Sequence, residues 1–336
     1  MSRISQAIIR MGWGVVGAAL LLSEASAQDK VFYQYSFLPT GESAPISAGI
    51  EKGFFRDVGI DLSYASGRGS GDAVKKVAAG GALVGDSDIS AVMVARVNEK
   101  APVKCIMAQH AMAPHSLFVL EGSGINSIKD LAGKTLVTTP GNSHFIYFPL
   151  VAKLNGLDPD SVKWVVADPN AMGPMLLSGR VDGAPLFATH YYYQNKQAEK
   201  VGKKIKVIPF ADYGFKIYSY CWLATEESIK TKGDVLRRYL LGIRRSFLWA
   251  RDNVEEAAKL HNKRHPDVDP DDAAGSLRTQ LEYMFPKGSD PENWGYFEPE
   301  RLKETYQTVA RAQNLDPNID PAQFVDMSLL PPRKTK

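Results

Sequence analysis

The most constraining feature of this chain is the alternation of apolar runs and polar loops between residues 51 and 88, EKGFFRDVGIDLSYASGRGSGDAVKKVAAGGALVGDSD. Strands predicted at 60–64 and 82–85 flank a helix that starts near residue 70. The neighbouring apolar runs predict further strands at 31–37 and 103–109 and helices at 45–55 and 89–98. Strands that alternate with helices form a parallel sheet covered on both faces. The sequence therefore predicts an α/β fold.

The same alternation restarts after residue 116, which implies a second, smaller α/β lobe. Its predicted strands are 116–120, 135–139, 162–166, 181–187 and 205–209, and its predicted helices are 127–131, 143–154, 171–177 and 190–201. A strand at 217–223 then leads to a helical C-terminal tail with one long helix at 234–261. We predict that residues 28–115 and 216–336 form lobe 1 and that residues 116–215 form lobe 2. Each lobe is expected to be a mostly parallel sheet flanked by helices.

Residues 1–27 have the pattern of a secretory signal peptide. Arg3 and Arg10 precede an apolar run at 13–22, and an Ala-x-Ala end follows at 25–27. The run is about half the length of roughly 20 apolar residues that a membrane-spanning helix needs. We therefore expect cleavage after Ala27 and a periplasmic location.

Charge and cysteine content narrow the possible functions. The formal net charge is only +3, which argues against nucleic acid as a partner. Cys105 and Cys221 both lie in apolar runs. One disulfide and two buried free thiols both fit this pattern, and free thiols are the expectation, because spacing does not show that the two residues approach each other. We expect the protein to be a monomer.

Two glycine-containing loops at predicted strand ends contain candidate binding residues. In the loop at 65–71, Gly69 offers a backbone N–H group and Ser70 can cap the next helix. Gly141, Asn142 and Ser143 repeat this pattern in lobe 2. Helix N-termini carry unpaired N–H groups that favour anions or polar ligand atoms. Because ligands of such folds bind beyond the carboxyl ends of strands, we predict one site formed by both loops.

Acidic and aromatic side chains near the same strand ends are further candidates. Of Asp86 and Asp88, one is expected to cap the helix at residue 89, and the other to face a cleft. We predict Asp88 as the ligand contact, where it would favour an N–H group. Phe37, Tyr191 and Tyr218 lie beside polar loops and are candidates for stacking on a ligand ring.

Motifs for enzymatic chemistry lack the required spacing. Gly133-Lys134-Thr135 has no glycine five residues upstream, as a phosphate loop needs, and no serine lies in a Gly-x-Ser-x-Gly elbow. His261 and His265 are one helical turn apart, but neighbouring cations indicate a charged helix end instead of a metal site. We therefore predict no catalytic residues, no metal and no cofactor.

Taken in order, several segments resemble the thiamine-pyrimidine-precursor, sulfonate, taurine and nitrate substrate-binding proteins of ABC importers. These segments are the signal sequence, FLPTGESAPISAGIEKGFFRDVGIDLSYASGRGS, GDSDIS, SIKDLAGKTL and VDGAPLF. The resemblance covers nearly the whole mature chain. It implies a type II periplasmic binding fold, in which two lobes joined by crossover strands close over one solute. It also implies a membrane permease and its ATPase as partners.

Individual residues match the family to different degrees. The segment 51–55 is similar to the family's lysine-glycine-aromatic helix end, and 59–61 is similar to its glycine-leucine-aspartate turn. Phe37 and Pro39 fall where pyrimidine-precursor binders have tryptophan-x-proline. This chain has Ser43, preceded by Glu42, where those binders have a histidine, and we include both as candidate ligand contacts. The cysteine-rich motif of the yeast pyrimidine synthases is absent from the sequence.

The leading hypothesis is a periplasmic protein that captures a small aromatic, heterocyclic or anionic solute for an ABC importer. Two alternatives remain at this point. One is a sensor that presents its bound state to a membrane kinase, and the other is an enzyme similar to the pyrimidine synthases.

Overall fold

The computed structural model describes residues 28–215 and 217–334, so the predicted signal peptide lies outside the described residues. The strands in these ranges are β1 (Asp29–Gln34), β2 (Ile60–Ala65), β3 (Val84–Asp88), β4 (Val103–Ala108), β5 (His115–Leu120), β6 (Thr135–Thr138), β7 (Lys163–Val166), β8 (Ala184–Phe187), β9 (Ile205–Pro209) and β10 (Tyr220–Thr225). The helices are α1 (Ala44–Glu51), α2 (Ser70–Ala78), α3 (Ile89–Glu99), α4 (Ser143–Leu154), α5 (Pro169–Leu177), α6 (Tyr191–Glu199), α7 (Glu226–Thr231), α8 (Gly233–Asp252), α9 (Val254–Arg264), α10 (Pro270–Met284) and α11 (Pro299–Gln313). Across the described ranges, no helix has both the length and the apolarity needed to cross a membrane.

The strands form a five-stranded sheet in lobe 1 and two smaller sheets in lobe 2. In lobe 1 the strand order is β2-β1-β3-β10-β4, with β1 parallel to β2 and β3. In lobe 2, β5 lies between β8 and β9, and β6 pairs in parallel with β7. A parallel bridge between Leu136 and Gly183 joins the two groups of strands in lobe 2.

The predicted α/β fold class is confirmed, but the sheets are mixed: among the described strands, four of the seven strand pairings are antiparallel. β10 runs antiparallel to both β3 and β4, and β5 runs antiparallel to both β8 and β9. The chain enters lobe 2 through β5 and returns to lobe 1 through β10. The alternation of strands and helices in the sequence does not predict that β5 and β10 are antiparallel to their neighbours, because a pattern of burial carries no information about strand direction.

Helices cover both faces of the lobe 1 sheet. On one face, α8 packs Leu236, Leu240 and Ile243 against the strands. On the other face, the apolar cluster of α2, α3 and α11 continues into α4 of lobe 2. The lobes therefore share an apolar contact on the α4 and α11 side.

The predicted long helix at 234–261 is in fact two helices. α8 ends at Asp252, and Asn253 has φ −140° and ψ 51°, outside the helical region. The Asn253 side-chain amide donates to the carbonyl of Trp249 at 2.8 Å. A short polar side chain of this kind competes with the helix for backbone groups. The break allows α8 and α9 to pack separately against α1.

The expectation of free thiols is wrong, because Cys105 and Cys221 form a disulfide. The S–S distance is 2.08 Å and the Cα atoms are 5.6 Å apart. β10 inserts beside β4 and brings together two residues that are 116 positions apart in sequence. The spacing of the cysteines could not reveal this pairing.

Reduction of this disulfide is expected to lower the free energy of unfolding by about 2–5 kcal/mol, because the bond closes a long loop in the unfolded chain. Urea titrations with and without a reducing agent measure the change. The double variant Cys105→Ala/Cys221→Ala is the control, since its stability should not depend on the reductant. An unchanged wild-type midpoint under reduction would contradict the prediction.

Candidate functional site

A small cavity, here called the inner cavity, lies between the lobes at the carboxyl ends of the strands. Its volume is about 30 Å³. Its lining residues are Phe37, Gly69, Ser70, Asn142, Ser143, His144, Pro185, Leu186, Phe187, His190 and Tyr220. Both predicted glycine-containing loops and the first residue of β10 therefore meet at one place. The inner cavity lies where ligands of α/β folds bind.

A larger space, the outer cavity, continues from the inner cavity past Phe37, Leu186 and His190, which line both. Its volume is about 840 Å³. Lobe 1 contributes residues near Pro39, Tyr64 and His265, and the remaining lining comes from α5, α6 and their flanking residues. This volume is within the range of pockets that enclose small organic molecules.

A third space, the polar chamber, shares lining residues with the first two. Its volume is about 10 Å³. Its lining residues are Tyr33, Tyr35, Ser36, Phe37, Leu38, Glu42, Ser43, Ile46, Asp86, Gln109, Tyr220, Phe247 and Gln280. Phe37 lines all three spaces, and its ring centroid is 5.5 Å from that of His190. Phe37 thus lies at the junction of the cavities.

The two glycine-containing loops contact each other across the interface between the lobes. The Gly71 N–H donates to the Gly141 carbonyl at 3.0 Å. Gly69 has φ +148°, and a Cβ atom there would lie 2.7 Å from the Pro140 carbonyl oxygen. The Gly69 N–H donates to the Ser36 carbonyl at 2.7 Å, so it is occupied within lobe 1. The expectation that Gly69 supplies a backbone donor to a ligand is therefore wrong. The glycines of these loops instead allow the two lobes to approach closely.

Glu42 connects the lobes through its carboxylate. It accepts a hydrogen bond from Thr189 Oγ1 at 2.6 Å, and its Oε1 lies 3.3 Å from His190 Nε2. Burial opposes ionisation of Glu42, but the charge of His190 and the hydrogen bonds from His190 and Thr189 outweigh it, and the pKa of Glu42 is lowered. Ser43 is also buried and lines the polar chamber.

Asp88 and Asp86 have the reverse of the expected roles. Asp88 caps α3 by accepting from the Ser90 N–H at 2.9 Å, and its other oxygen accepts from Ser219 Oγ at 2.7 Å. The hydroxyl of Tyr147, in lobe 2, also donates to Oδ1 of Asp88, at 3.1 Å. Asp88 is therefore enclosed in a hydrogen-bond network, away from the lining of the three spaces. Asp86 lines the polar chamber instead.

Asp86 is buried beside a second carboxylate. Burial and the charge of Glu42 raise the pKa of Asp86 to about 7, although Ser36 N–H donates to it at 2.5 Å and lowers the pKa in part. Two carboxyl groups therefore face one enclosed space. A ligand group that donates protons or carries positive charge would be favoured there.

Ser143, His115 and Asp88 lie together but do not form a hydrolytic triad. His115 Nε2 is 3.0 Å from Ser143 Oγ and 3.6 Å from Asp88 Oδ2, so both neighbours face the same ring nitrogen. A serine nucleophile requires the carboxylate on the other ring nitrogen.

Asn142 caps α4 by accepting from the His144 N–H at 2.9 Å. Of these side chains, Asn142 and Ser143 line the inner cavity as predicted, but in capping and bridging roles.

Two predicted aromatic residues lie elsewhere. Tyr191 begins α6 and packs against the lobe 2 core, and its neighbour His190 lines the inner cavity instead. Tyr218 precedes β10, packs on Phe297 and accepts from the Glu298 N–H at 3.0 Å. The predicted strand began at residue 217, whereas β10 begins at Tyr220, which is the tyrosine that lines the cavity.

Sequence reasoning missed several residues at the site. These are Asp86, Gln109, Phe187, Thr189, His190, Tyr220 and Gln280. Phe187, Thr189 and His190 lie at the carboxyl end of β8. The rule that ligands bind beyond the carboxyl ends of strands could therefore have identified these three. Gln280 belongs to α10, and only the packing of the C-terminal helices brings it to the chamber.

Comparison with known proteins places this architecture in a family. Residues 40–257 match the family described as NMT1/THI5 like. The chain belongs to the NMT1/THI5 like family. No curated protein matches the sequence.

Solved structures show which fold this NMT1/THI5 like chain shares. The alkanesulfonate-binding protein SsuA from Xanthomonas axonopodis pv. citri, bound to MOPS, is 12% identical with a TM-score of 0.69, over 89% of this chain and 97% of that one. The periplasmic aliphatic sulphonate binding protein SsuA from Escherichia coli is 15% identical with a TM-score of 0.64, over 91% and 95%. The desulfurization enzyme DSZB is 16% identical with a TM-score of 0.55, over 89% and 97%. The NMT1/THI5 like chain thus has the two-lobe type II periplasmic binding fold.

Proposed function

We propose that this protein is the periplasmic solute-binding component of an ABC importer, which captures a small organic solute between its lobes and delivers it to a permease with its ATPase. The observation that carries the proposal is the junction at Phe37, where three connected spaces meet and both lobes contribute side chains. In this proposal, lobe 1 comprises residues 28–115 and 216–336, lobe 2 comprises residues 116–215, and the predicted signal peptide directs the chain to the periplasm.

Capture follows from the division of the site between the lobes. Phe37 and Ser70 come from lobe 1, whereas Asn142, Phe187 and His190 come from lobe 2, so a solute contacts both sets only when the lobes are closed. The solute therefore selects the closed form by its higher affinity for that form. A micromolar dissociation constant corresponds to about −8 kcal/mol. A few charge-assisted hydrogen bonds and stacking against Phe37 are sufficient for this affinity.

An enzymatic role has less support at the site. The fold does not decide between binding and catalysis, because DSZB shares it. The shared ring nitrogen of His115 supports binding over hydrolysis, since Ser143 has no relay of the required geometry. An absorbance spectrum tests the synthase alternative, because a bound pyridoxal group would absorb at visible or near-ultraviolet wavelengths.

A thermal-shift screen tests the proposed function. The compounds are sulfonates, aromatic acids, pyrimidines, amines and nitrate. A solute present at one hundred times its dissociation constant adds about 2.7 kcal/mol to the stability of the folded state, which raises the melting temperature by a few degrees. Small-angle scattering on each hit should report a more compact particle. The proposal fails if no compound raises the melting temperature or changes the scattering profile.

The variant Phe37→Ala is expected to weaken binding of any hit by about 10-fold, because it removes the ring at the junction of the cavities. Titration calorimetry on the wild type and the variant measures the loss. Phe32→Ala is the matched control, since Phe32 is a 39% exposed ring on the same strand region of lobe 1. Equal affinities of Phe37→Ala and wild type would show that the ring does not contact the solute.

A further inference from the structure

The polar chamber is lined by buried polar atoms that have no hydrogen-bond partner among the described residues, and the Tyr35 hydroxyl, which can donate or accept, is one of them. Glu42 and Asp86 contribute carboxyl groups to its lining. The side-chain oxygens of Gln109 and Gln280, which are 5% and 1% exposed as residues, accept no hydrogen bond from any described residue. An unpaired buried acceptor is unfavourable by about 1–3 kcal/mol, so these oxygens indicate that a donor group belongs in the chamber.

The charge of the lining has the same implication. No lysine or arginine is among the described residues that line the chamber. The imidazole of His190 and the hydroxyl of Thr189 reach Glu42 only from the lobe 2 side. Asp86 receives the Ser36 N–H but has no cationic partner within salt-bridge distance among the described residues. An anion placed here would face two carboxyl groups, of which only Glu42 has a cationic neighbour, the imidazole of His190.

The position of the chamber determines which part of a solute can reach it. Its volume of about 10 Å³ is comparable to the space of one water molecule. Phe37 and Leu38 line both the chamber and the outer cavity, and Phe37 and Tyr220 line both the chamber and the inner cavity. A single small group can therefore enter the chamber while a ring attached to it remains beside Phe37.

We propose that the polar chamber receives a positively charged nitrogen group of the solute, such as an amine or an amidine. This inference rests on the proposed function and assigns its substrate class. It separates this chain from the sulfonate binding for which the two SsuA proteins are named. Glu42 and Asp86 accept from the nitrogen group, and Gln109 and Gln280 complete its surroundings.

Ring-matched probes test the inference. Benzylamine, benzamidine, benzoate and benzenesulfonate share one ring and differ in the charge of the attached group. The expected result is that the two cationic probes bind at least 10-fold more tightly than the two anions. Asp86→Asn and Glu42→Gln should each weaken cation binding by about 10-fold or more and change anion binding by less than about 3-fold. Asn at position 86 keeps an acceptor for the Ser36 N–H, so this variant is expected to fold.

Asp267→Asn is the control for general electrostatics, because Asp267 is an exposed carboxylate on the rim of the outer cavity. It should change the affinity for every probe by less than about 3-fold. Tighter binding of the anions, or a folded Asp86→Asn protein with unaltered affinity for the cations, would overturn the inference and leave solute capture intact. If neither these probes nor any compound of the wider screen binds, the proposed function itself fails, and this inference fails with it.

Discussion

Replacing Gly71 with valine is expected to weaken solute binding by about 10- to 100-fold while both lobes remain folded. A Cβ atom at position 71 would lie 3.1 Å from the Gly141 Cα across the interface between the lobes. The two further methyl groups of valine would extend into the same loop, and overpacking of this kind destabilises by about 1–3 kcal/mol. That free energy opposes the closed form only. The apparent affinity falls with the fraction of molecules that can close.

The local conformation at position 71 does not forbid a side chain. Gly71 is not one of the glycines with positive φ, and it lies in the first turn of α2. Alanine is a better helix former than glycine, so Gly71→Ala should leave α2 intact and reduce affinity less than valine does. Comparison of the alanine and valine variants therefore distinguishes an effect on lobe closure from an effect on folding.

Calorimetry and small-angle scattering on the same samples measure this prediction. At a solute concentration that just saturates the wild type, Gly71→Val should remain less compact than the wild type. Gly233→Ala is the control, because Gly233 begins α8 and a Cβ there meets only ordinary contacts, the nearest at 3.6 Å. Wild-type affinity together with wild-type compaction in Gly71→Val would show that the two loops do not need to touch.

The variant Asp86→Asn is expected to gain about 3 kcal/mol of stability relative to wild type when the pH rises from 5 to 8. In the folded protein, burial and the charge of Glu42 raise the pKa of Asp86 to about 7. The unfolded chain has an aspartate pKa of about 3.9. A group whose folded pKa is raised binds more protons in the folded state, so wild-type stability decreases as the pH rises through this window. Asparagine does not titrate and removes this loss.

Urea unfolding of both proteins at pH 5 and pH 8, without solute, measures the difference. The titratable groups near Asp86 include Tyr33, Tyr35, Tyr220 and Tyr239, whose pKa values burial raises well above 10, and Glu42, whose pKa is lowered. None of these five changes charge between pH 5 and 8. Asp267→Asn removes a carboxylate at the exposed rim and shows what a change in net charge alone does. A stability difference between Asp86→Asn and wild type that is the same at both pH values would contradict the prediction.

The order of strands and helices could be predicted from the sequence because burial repeats with a regular period along each element. Helices such as α3 and α4 were predicted to within one residue of their observed bounds. The direction of β5 and β10 could not be predicted, since it depends on which strands they pair with. For the same reason, the disulfide between Cys105 and Cys221 was missed.

The candidate site was predictable where it depends on local chain geometry. Phe37, Ser70, Asn142 and Ser143 lie in the loops after strands or at the start of the next helix, and all four line the inner cavity. Whether any of them contacts a solute remains a prediction. The choice between Asp86 and Asp88 could not be made, because both aspartates lie in β3 and the direction of each side chain depends on Ser219 and Tyr147, which are distant in sequence.

The insertion of β10 between β3 and β4 also determines the order in which the chain can assemble. Lobe 2 uses one continuous stretch of chain for its sheet, from β5 to β9, and can fold as soon as that stretch is available. The lobe 1 sheet lacks one of its interior strands until β10 pairs with β3 and β4, so its formation requires contacts of long sequence separation, which form slowly. Assembly therefore proceeds from the middle of the chain outwards, and the segment that precedes lobe 2 waits for the segment that follows it.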